Sequence, residues 1–250
     1  MAGPVGNAMT TMLVTRPEPD TQVTLAKLNA LGIDGVAAPV MVRETLNVSL
    51  PAADGFAAMV LTSTNALRAL EDRGELAEFL GLPVLAVGDR TAREAEQAGF
   101  AKVSSAAGTA RDLVNAIVIS GLKGPLFHPT AKHQSADLAK ALAPHGVMVV
   151  AAKVYDMVAV DRLPDGIVPA LGQGIDAVLS YSRRSSEIFA GLAGELAGPE
   201  RRKLACLCLS ETVAEPLLEA RFSRISLADR PDDEAMMTLA LAFAREQTGQ

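Results

Sequence analysis

Short apolar runs alternate with segments of helical period along almost the whole chain. Runs at 12–15, 35–42, 59–62, 84–87, 102–104, 126–128, 147–155, 177–180, 204–209 and 224–226 predict strands. Between them, apolar positions recurring every three or four residues predict helices at 21–31, 65–72, 91–98, 110–119, 135–142, 185–192, 213–220 and 234–246. Strand–helix–strand repetition predicts parallel sheets with helices on both faces. Gly32, Gly99, Gly121 and Gly146 each fall just past a helical pattern, where a left-handed cap is needed.

The pattern repeats itself about 110 to 120 positions later. Residues 85–103 lie over 207–225 without a gap, and 55–63 lie over 174–182. A third block sets 13–17 and 25–27 against 125–129 and 138–140, with small gaps. Two similar lobes are expected, with a cleft between them for a small ligand. The extended stretches 37–46 and 149–159 are long enough to pair, so the chain leaves the first lobe early and returns late. The expected division is 10–38 plus 164–250 for one lobe and 47–150 for the other. Residues 39–46 and 151–163 form the two-stranded linker, and 1–9 a disordered leader. A sequential split near residue 122 is the alternative.

Composition narrows the function classes. The 250 residues are 49% hydrophobic and 21% charged, which suits a globular protein with a sizeable core. Aromatics make up only 4%, Trp is absent and net charge is -6, so a nucleic-acid binder is not expected. An anionic small ligand stays open, because helix N-termini override global charge locally. No apolar run reaches membrane length, and the start lacks the form of a secretory signal, so a cytoplasmic location is expected. Cys206 and Cys208 share one strand face; buried free thiols are expected, with a disulfide or two-ligand metal site as the alternative.

Ligands of open α/β sheets sit where the strands end and the helices begin. The turns there are rich in hydroxyls: Thr62, Ser63, Thr64 and Asn65; Gly88 and Thr91; Thr109 and Ala110; Thr130 and Lys132; Ser182; Ser210 and Thr212. Each one suits a helix N-cap, but their grouping in both halves suggests an anion cradle. Arg16 and Arg183 add bidentate contacts for carboxylates. Tyr155 lies in the returning stretch, where a phenol can bond a ligand and protonate a leaving hydroxyl. His128 ends a strand and is a weaker candidate for the cleft; His145 reads as a surface cap. No dinucleotide glycine motif, P-loop, HExxH, CxxC or GxSxG element is present.

The ordered set Leu13-Val-Thr-Arg-Pro17, Leu61-Thr-Ser63, Val87-Gly-Asp-Arg-Thr-Ala92, Gly108-Thr109 and Leu126-Phe-His-Pro129, with Val154-Tyr155, Ser182 and Ser210, resembles the uroporphyrinogen-III synthase family over most of 12–245. Two features depart from it. Where the family carries a Gly-Gly-Arg-like turn after His128-Pro129, this chain has 130–136, leaving Lys132 and His133 to supply charge. Ser210 stands where the last βα turn has glycine, and Val213 where it has threonine, with Thr212 adjacent.

The resemblance implies two flavodoxin-like parallel α/β lobes joined by a two-stranded ladder. It implies a cofactor-independent lyase acting on linear hydroxymethylbilane. Ring A loses its hydroxyl as water, ring D attacks the azafulvene cation at its substituted carbon, and a spiro intermediate opens and recloses with ring D inverted. The pyrrole nitrogens supply the electronic push, so the protein must bind carboxylates, fold the chain and protonate the departing hydroxyl. Tyr155 is the family's candidate for that proton. A monomer is expected, with no nucleic-acid or membrane partner and at most a transient contact with the preceding pathway enzyme. The rival reading is a non-catalytic two-lobed binding protein for an anionic metabolite.

Overall fold

A computed structural model describes residues 9–106, 108–133 and 137–249. Nearly all of the expected leader lies outside those residues, as do Ala107 and the first residues of the helix expected at 135–142. The strands are β1 (Thr11–Val14), β2 (Asp34–Ala37), β3 (Met41–Thr45), β4 (Ala58–Leu61), β5 (Val84–Ala86), β6 (Val103–Ser105), β7 (Leu126–Ala131), β8 (Val149–Ala159), β9 (Ala177–Ser180), β10 (Ala205–Cys208) and β11 (Arg224–Leu227). The helices are α1 (Asp20–Ala30), α2 (Thr64–Asp72), α3 (Asp89–Gln97), α4 (Ala110–Ser120), α5 (Leu138–Leu142), α6 (Ile167–Ala170), α7 (Arg183–Leu192), α8 (Gly198–Lys203), α9 (Glu211–Glu219) and α10 (Asp233–Thr248).

The chain divides into two compact units. The first holds the residues up to Val42 and from Val158 onward, and the second holds Arg43–Met157. The chain passes between them within β3 and returns within β8. These two strands are neighbours and run antiparallel: the Leu46 N–H donates to the Val154 carbonyl (2.9 Å), and the Val160 N–H to the Val40 carbonyl (3.1 Å).

In the first unit the sheet order is β11-β10-β9-β1-β2, and every neighbouring pair is parallel. In the second it is β3-β8-β7-β4-β5-β6, parallel from β8 to β6. The internal repeat places β4 on β9, β5 on β10 and β6 on β11. With β7 on β1 and β8 on β2, the two orders coincide strand for strand, one chain path being a circular permutation of the other.

The ladders correct the third block of the repeat. Leu126 pairs with Ala58 and Met12 with Ala177. Ala58 and Ala177 are equivalent in the ungapped block, so Leu126 corresponds to Met12, two positions from the expected alignment. Thr130 is therefore the counterpart of Arg16.

The strand expected at 35–42 is also corrected. It breaks at Pro39 into β2 and β3, because proline has no N–H to give a ladder. β7 and β8 both run further than their apolar runs. Helices α6 and α8 were not expected; α8 buries no residue, so it has no apolar period to read. The four glycines expected to cap helices all have positive φ, from 60° at Gly121 to 104° at Gly99. Cys206 and Cys208 are free and buried, which removes the disulfide alternative.

Both central strands are covered on both faces, hence their unbroken apolar sequence. In the second unit Met59, Leu61, Phe79 and Phe127 pack on one face of the sheet, and Ala58, Val60, Leu113, Ile117 and Leu126 on the other. The first unit packs Met12, Val14, Leu179 and Leu207 beneath Leu28 and Met236. Among the described residues, no helix is long and apolar enough to cross a membrane.

Phe127 holds the second core. Its ring stacks 4.8 Å from Phe79 and lies 5.3 Å from Phe56, with no exposed surface. Phe127→Ala is expected to cost about 3–5 kcal/mol, measured by urea unfolding followed by circular dichroism. A loss near zero would mean that this cluster does not carry the unit.

Candidate functional site

Where strand order reverses in a parallel sheet, the helices leaving two adjacent strands depart on opposite sides and a crevice opens at the carboxyl ends. In the second unit this point lies between β4 and β7. A cavity of about 390 Å³ opens there, lined by Thr62, Ser63, Val87, Gly108, Thr109, Ala110, His128, Thr130, Ala131, His133, Leu138 and Tyr155.

The turns are shaped by their own hydroxyls. Ser63 caps α2, its Oγ accepting from the Asn65 N–H at 3.2 Å. Thr109 caps α4 in a reciprocal box: Asp112 accepts from the Thr109 N–H and hydroxyl, both at 2.7 Å. Those bonds hold the Asp112 carboxyl below its usual range. Each cap leaves further helix N–H groups near the cavity as anion donors.

Successive side chains of an extended strand point to opposite faces, and this separates the two titratable groups. Thr62 meets His128 on the α4 side, with Oγ1 and Nε2 3.3 Å apart. Ser63 faces the Tyr155 phenol, which packs with Met59, Leu61 and Leu67. Burial pushes the Tyr155 phenol up; the Ser63 hydrogen bond and the Arg43 charge oppose that only in part. The phenol therefore keeps its proton at neutral pH. Burial draws His128 down to about 4 against the opposing charge of Asp137, so its imidazole is neutral. Among the described residues, no three His, Cys, Asp or Glu side chains gather to hold a metal.

Of the candidates named from sequence, Thr62, Ser63, Thr109, Ala110, Thr130 and Tyr155 come together here. Lys132 lies just beyond β7: its N–H donates to the Tyr155 carbonyl at 2.8 Å, and its ammonium pairs with Asp156 at 3.2 Å. Asn65 accepts from Arg68 at 3.2 Å. Thr64 and Thr91 are buried within α2 and α3 and do not line the cavity. Gly88 precedes α3 with an extended φ of -156°, and a Cβ added there would meet nothing within 4 Å.

Arg16, Ser182, Arg183, Ser210 and Thr212 belong to the first unit. Its equivalent reversal lies between β1 and β9. The Arg16 guanidinium lies 4.1 Å from the centre of the Tyr181 ring and binds Asp20 at 2.8 Å, Asp233 at 3.0 Å and Thr24 at 3.3 Å. Arg16 is thus already engaged by carboxylates of its own chain. Ser182 caps α7, accepting from the Ser185 N–H at 3.1 Å. Arg183 is exposed and paired with Glu187 and Glu215. The Ser210 and Thr212 hydroxyls are 3.0 Å apart at the start of α9. His128, a weaker candidate from sequence, and His133, expected with Lys132 to supply charge, also line the cavity, as do Gly108, Val87, Ala131 and Leu138, which were not named as binding residues. The signal for His128 was its place at a strand end.

The family model described as uroporphyrinogen-III synthase HemD matches residues 22–238. Among solved structures, uroporphyrinogen-III synthetase from Helicobacter pylori is similar at 19% identity and a TM-score of 0.68, over 94% of this chain and 100% of that one. A mutant uroporphyrinogen III synthase from the extremely thermophilic bacterium Thermus thermophilus is similar at 18% identity and a TM-score of 0.54, over 95% of this chain and 99% of that one. At those identities the likeness is one of fold. No curated protein matches the chain.

The charge state of the cavity has a consequence for stability. The fold favours neutral His128, with a value near 4 against an ordinary 6.5. Its contribution is therefore complete above about pH 6.5 and is lost as pH falls towards 4. Urea unfolding at pH 7 and pH 4 is expected to show a smaller acid loss for His128→Gln than for the natural chain, by about 3 kcal/mol. Equal acid losses would mean that His128 titrates freely in the folded protein.

Proposed function

The chain belongs to the uroporphyrinogen-III synthase family, and from that premise we propose that it cyclises hydroxymethylbilane with inversion of ring D and loss of water. The family is one of cofactor-independent cyclising lyases, and the match leaves the binding-protein alternative without support. The observation that carries the reading within this chain is Tyr155, a proton-bearing phenol in the cavity at the sheet's reversal point.

The chemistry asks little covalent work of the protein. The bilane's pyrroles expel the hydroxyl once a proton reaches it, and Tyr155 is the donor we assign. Its raised pKa suits a group that must hold its proton until the leaving oxygen is near. The N–H groups at the starts of α2 and α4, with the hydroxyls of Thr62, Ser63 and Thr130, would receive carboxylates of the substrate. Held in this way, the terminal ring reaches the azafulvene carbon as a unimolecular event. The proposal extends to a cytoplasmic monomer that takes its unstable substrate from the preceding enzyme; its support is the family resemblance.

Freshly generated hydroxymethylbilane is expected to yield the type III macrocycle with the enzyme and the type I macrocycle without it, resolved by chromatography after oxidation. Type I alone in both samples would refute the activity. Tyr155→Phe is expected to lower kcat by about 100-fold with KM little changed. Full turnover in that variant would remove the phenol from its role.

A further inference from the structure

The reaction moves protons in both directions. One is delivered to the hydroxyl that departs as water, and one must leave the free carbon of ring D when reclosure forms the last bond to it. Until that carbon–hydrogen bond breaks, with its electron pair returning to the ring, ring D is a cation and not yet a pyrrole. The product differs from the bilane by one water only, so the proton gained at the first step is lost at the last. Tyr155 can give the first. A neutral group with a lone pair at the same cavity can take the second.

We propose that His128 is the base that takes this proton, a role that rests on the synthase reading above. Two observations place it. His128 lines the same cavity as Tyr155, and the consecutive residues Thr62 and Ser63 hold the two groups, one on each side of the β4 edge. The Thr62 hydroxyl at 3.3 Å from Nε2 fixes the ring's orientation.

Its low proton affinity does not disqualify it. A ring-protonated pyrrole cation is a far stronger acid than an imidazolium, so a weak base suffices if it is neutral and in place. Burial keeps His128 neutral, and Asp137 supplies a negative charge towards the imidazolium formed. Lys132 and His133 follow on the same loop; Lys132 is paired with Asp156 and so does not present an uncompensated charge. The phenolate that Tyr155 becomes is the rival base: recovering the proton directly would reload it and leave His128 dispensable, which the kcat of the His128 variants reads. Transfer from His128 back to Tyr155 through solvent closes the cycle.

The test uses the full chain and bilane deuterated at the free carbon of ring D. His128→Gln retains an amide for Thr62 and removes the base. Its kcat is expected to fall by about 10–100-fold with KM unchanged, and a hydrogen isotope effect of about 3 or more is expected to appear on kcat. Imidazole added to His128→Ala is expected to restore part of the lost turnover and to leave the natural enzyme unaffected. Unchanged kcat in a folded His128→Gln overturns the proposal, as does a lower kcat with no isotope effect. If His128→Gln does not fold, His128→Asn is measured in the same way with the same two outcomes. Type III product from the natural chain keeps the two readings separate: its absence refutes the synthase reading, and its presence with an unaffected variant refutes only the base.

Discussion

A parallel strand must hand over to a helix at its carboxyl end, and two neighbouring strands whose helices leave on opposite sides cannot close the gap between them. The fold therefore makes an opening at one edge of each sheet whatever the sequence does elsewhere. What the residues decide is which side chains line that opening. In the first unit the counterparts of Thr130 and Thr62 are Arg16 and Tyr181, and the guanidinium lies over the ring. In the second unit the same two positions are threonines, and a cavity of about 390 Å³ remains. The repeat is thus symmetric in topology and asymmetric in the side chains at its two reversal points.

The electrostatics of the two openings differ in the same sense. Around Arg16, charge is answered by charge: burial raises Asp233, but Lys27 and Arg16 outweigh that and hold its carboxyl below the usual range. Burial and the Asp233 charge push the Tyr181 phenol up. In such a network the Arg16 guanidinium is already held by carboxylates. Around Tyr155 the donors are hydroxyls and helix N–H groups, which bind an anion without first breaking an ion pair. A polycarboxylate is well served by such donors even though the whole chain carries a net charge of -6. In the same environment two titratable groups are held in their neutral forms, one able to give a proton and one able to accept it.

Much of this was legible in the sequence, for identifiable reasons. Strands buried on both faces must be apolar throughout, so β4, β9 and β10 stood out. Left-handed helix caps favour glycine, so the ends at Gly32, Gly99, Gly121 and Gly146 could be read, while that of α9, where Arg221 takes a φ of 66°, could not. Hydroxyl caps pointed to Thr62, Ser63 and Thr109 because capping and anion binding draw on the same backbone groups. The rest depended on information that no local pattern holds. The register of β7 is fixed by ladders to strands far away in sequence, and without it Arg16 was set against His128 and not Thr130. His128 has no motif; its burial and its contact with Thr62 arise from the pairing of β4 with β7. The partners of Arg16 sit partly on α10, at the other end of the chain. A free arginine and a committed one look identical in sequence.

The departures from the family pattern can be weighed on the same footing. A glycine in the turn before α9 would matter if the backbone were left-handed or the space closed. Ser210 has a φ of -163°, extended backbone that any residue adopts, and its hydroxyl lies 3.0 Å from that of Thr212. Gly88, in the equivalent turn of the second unit, has the same extended form and open space where a Cβ would be. Serine at 210 therefore adds a hydroxyl without straining the turn. Val213 is buried at 6% exposure on the inner face of α9, where a methyl in place of a hydroxyl removes a polar group from an apolar contact. One change leaves the turn intact and the other favours packing. Both lie in the first unit, whereas the reacting groups are assigned to the second.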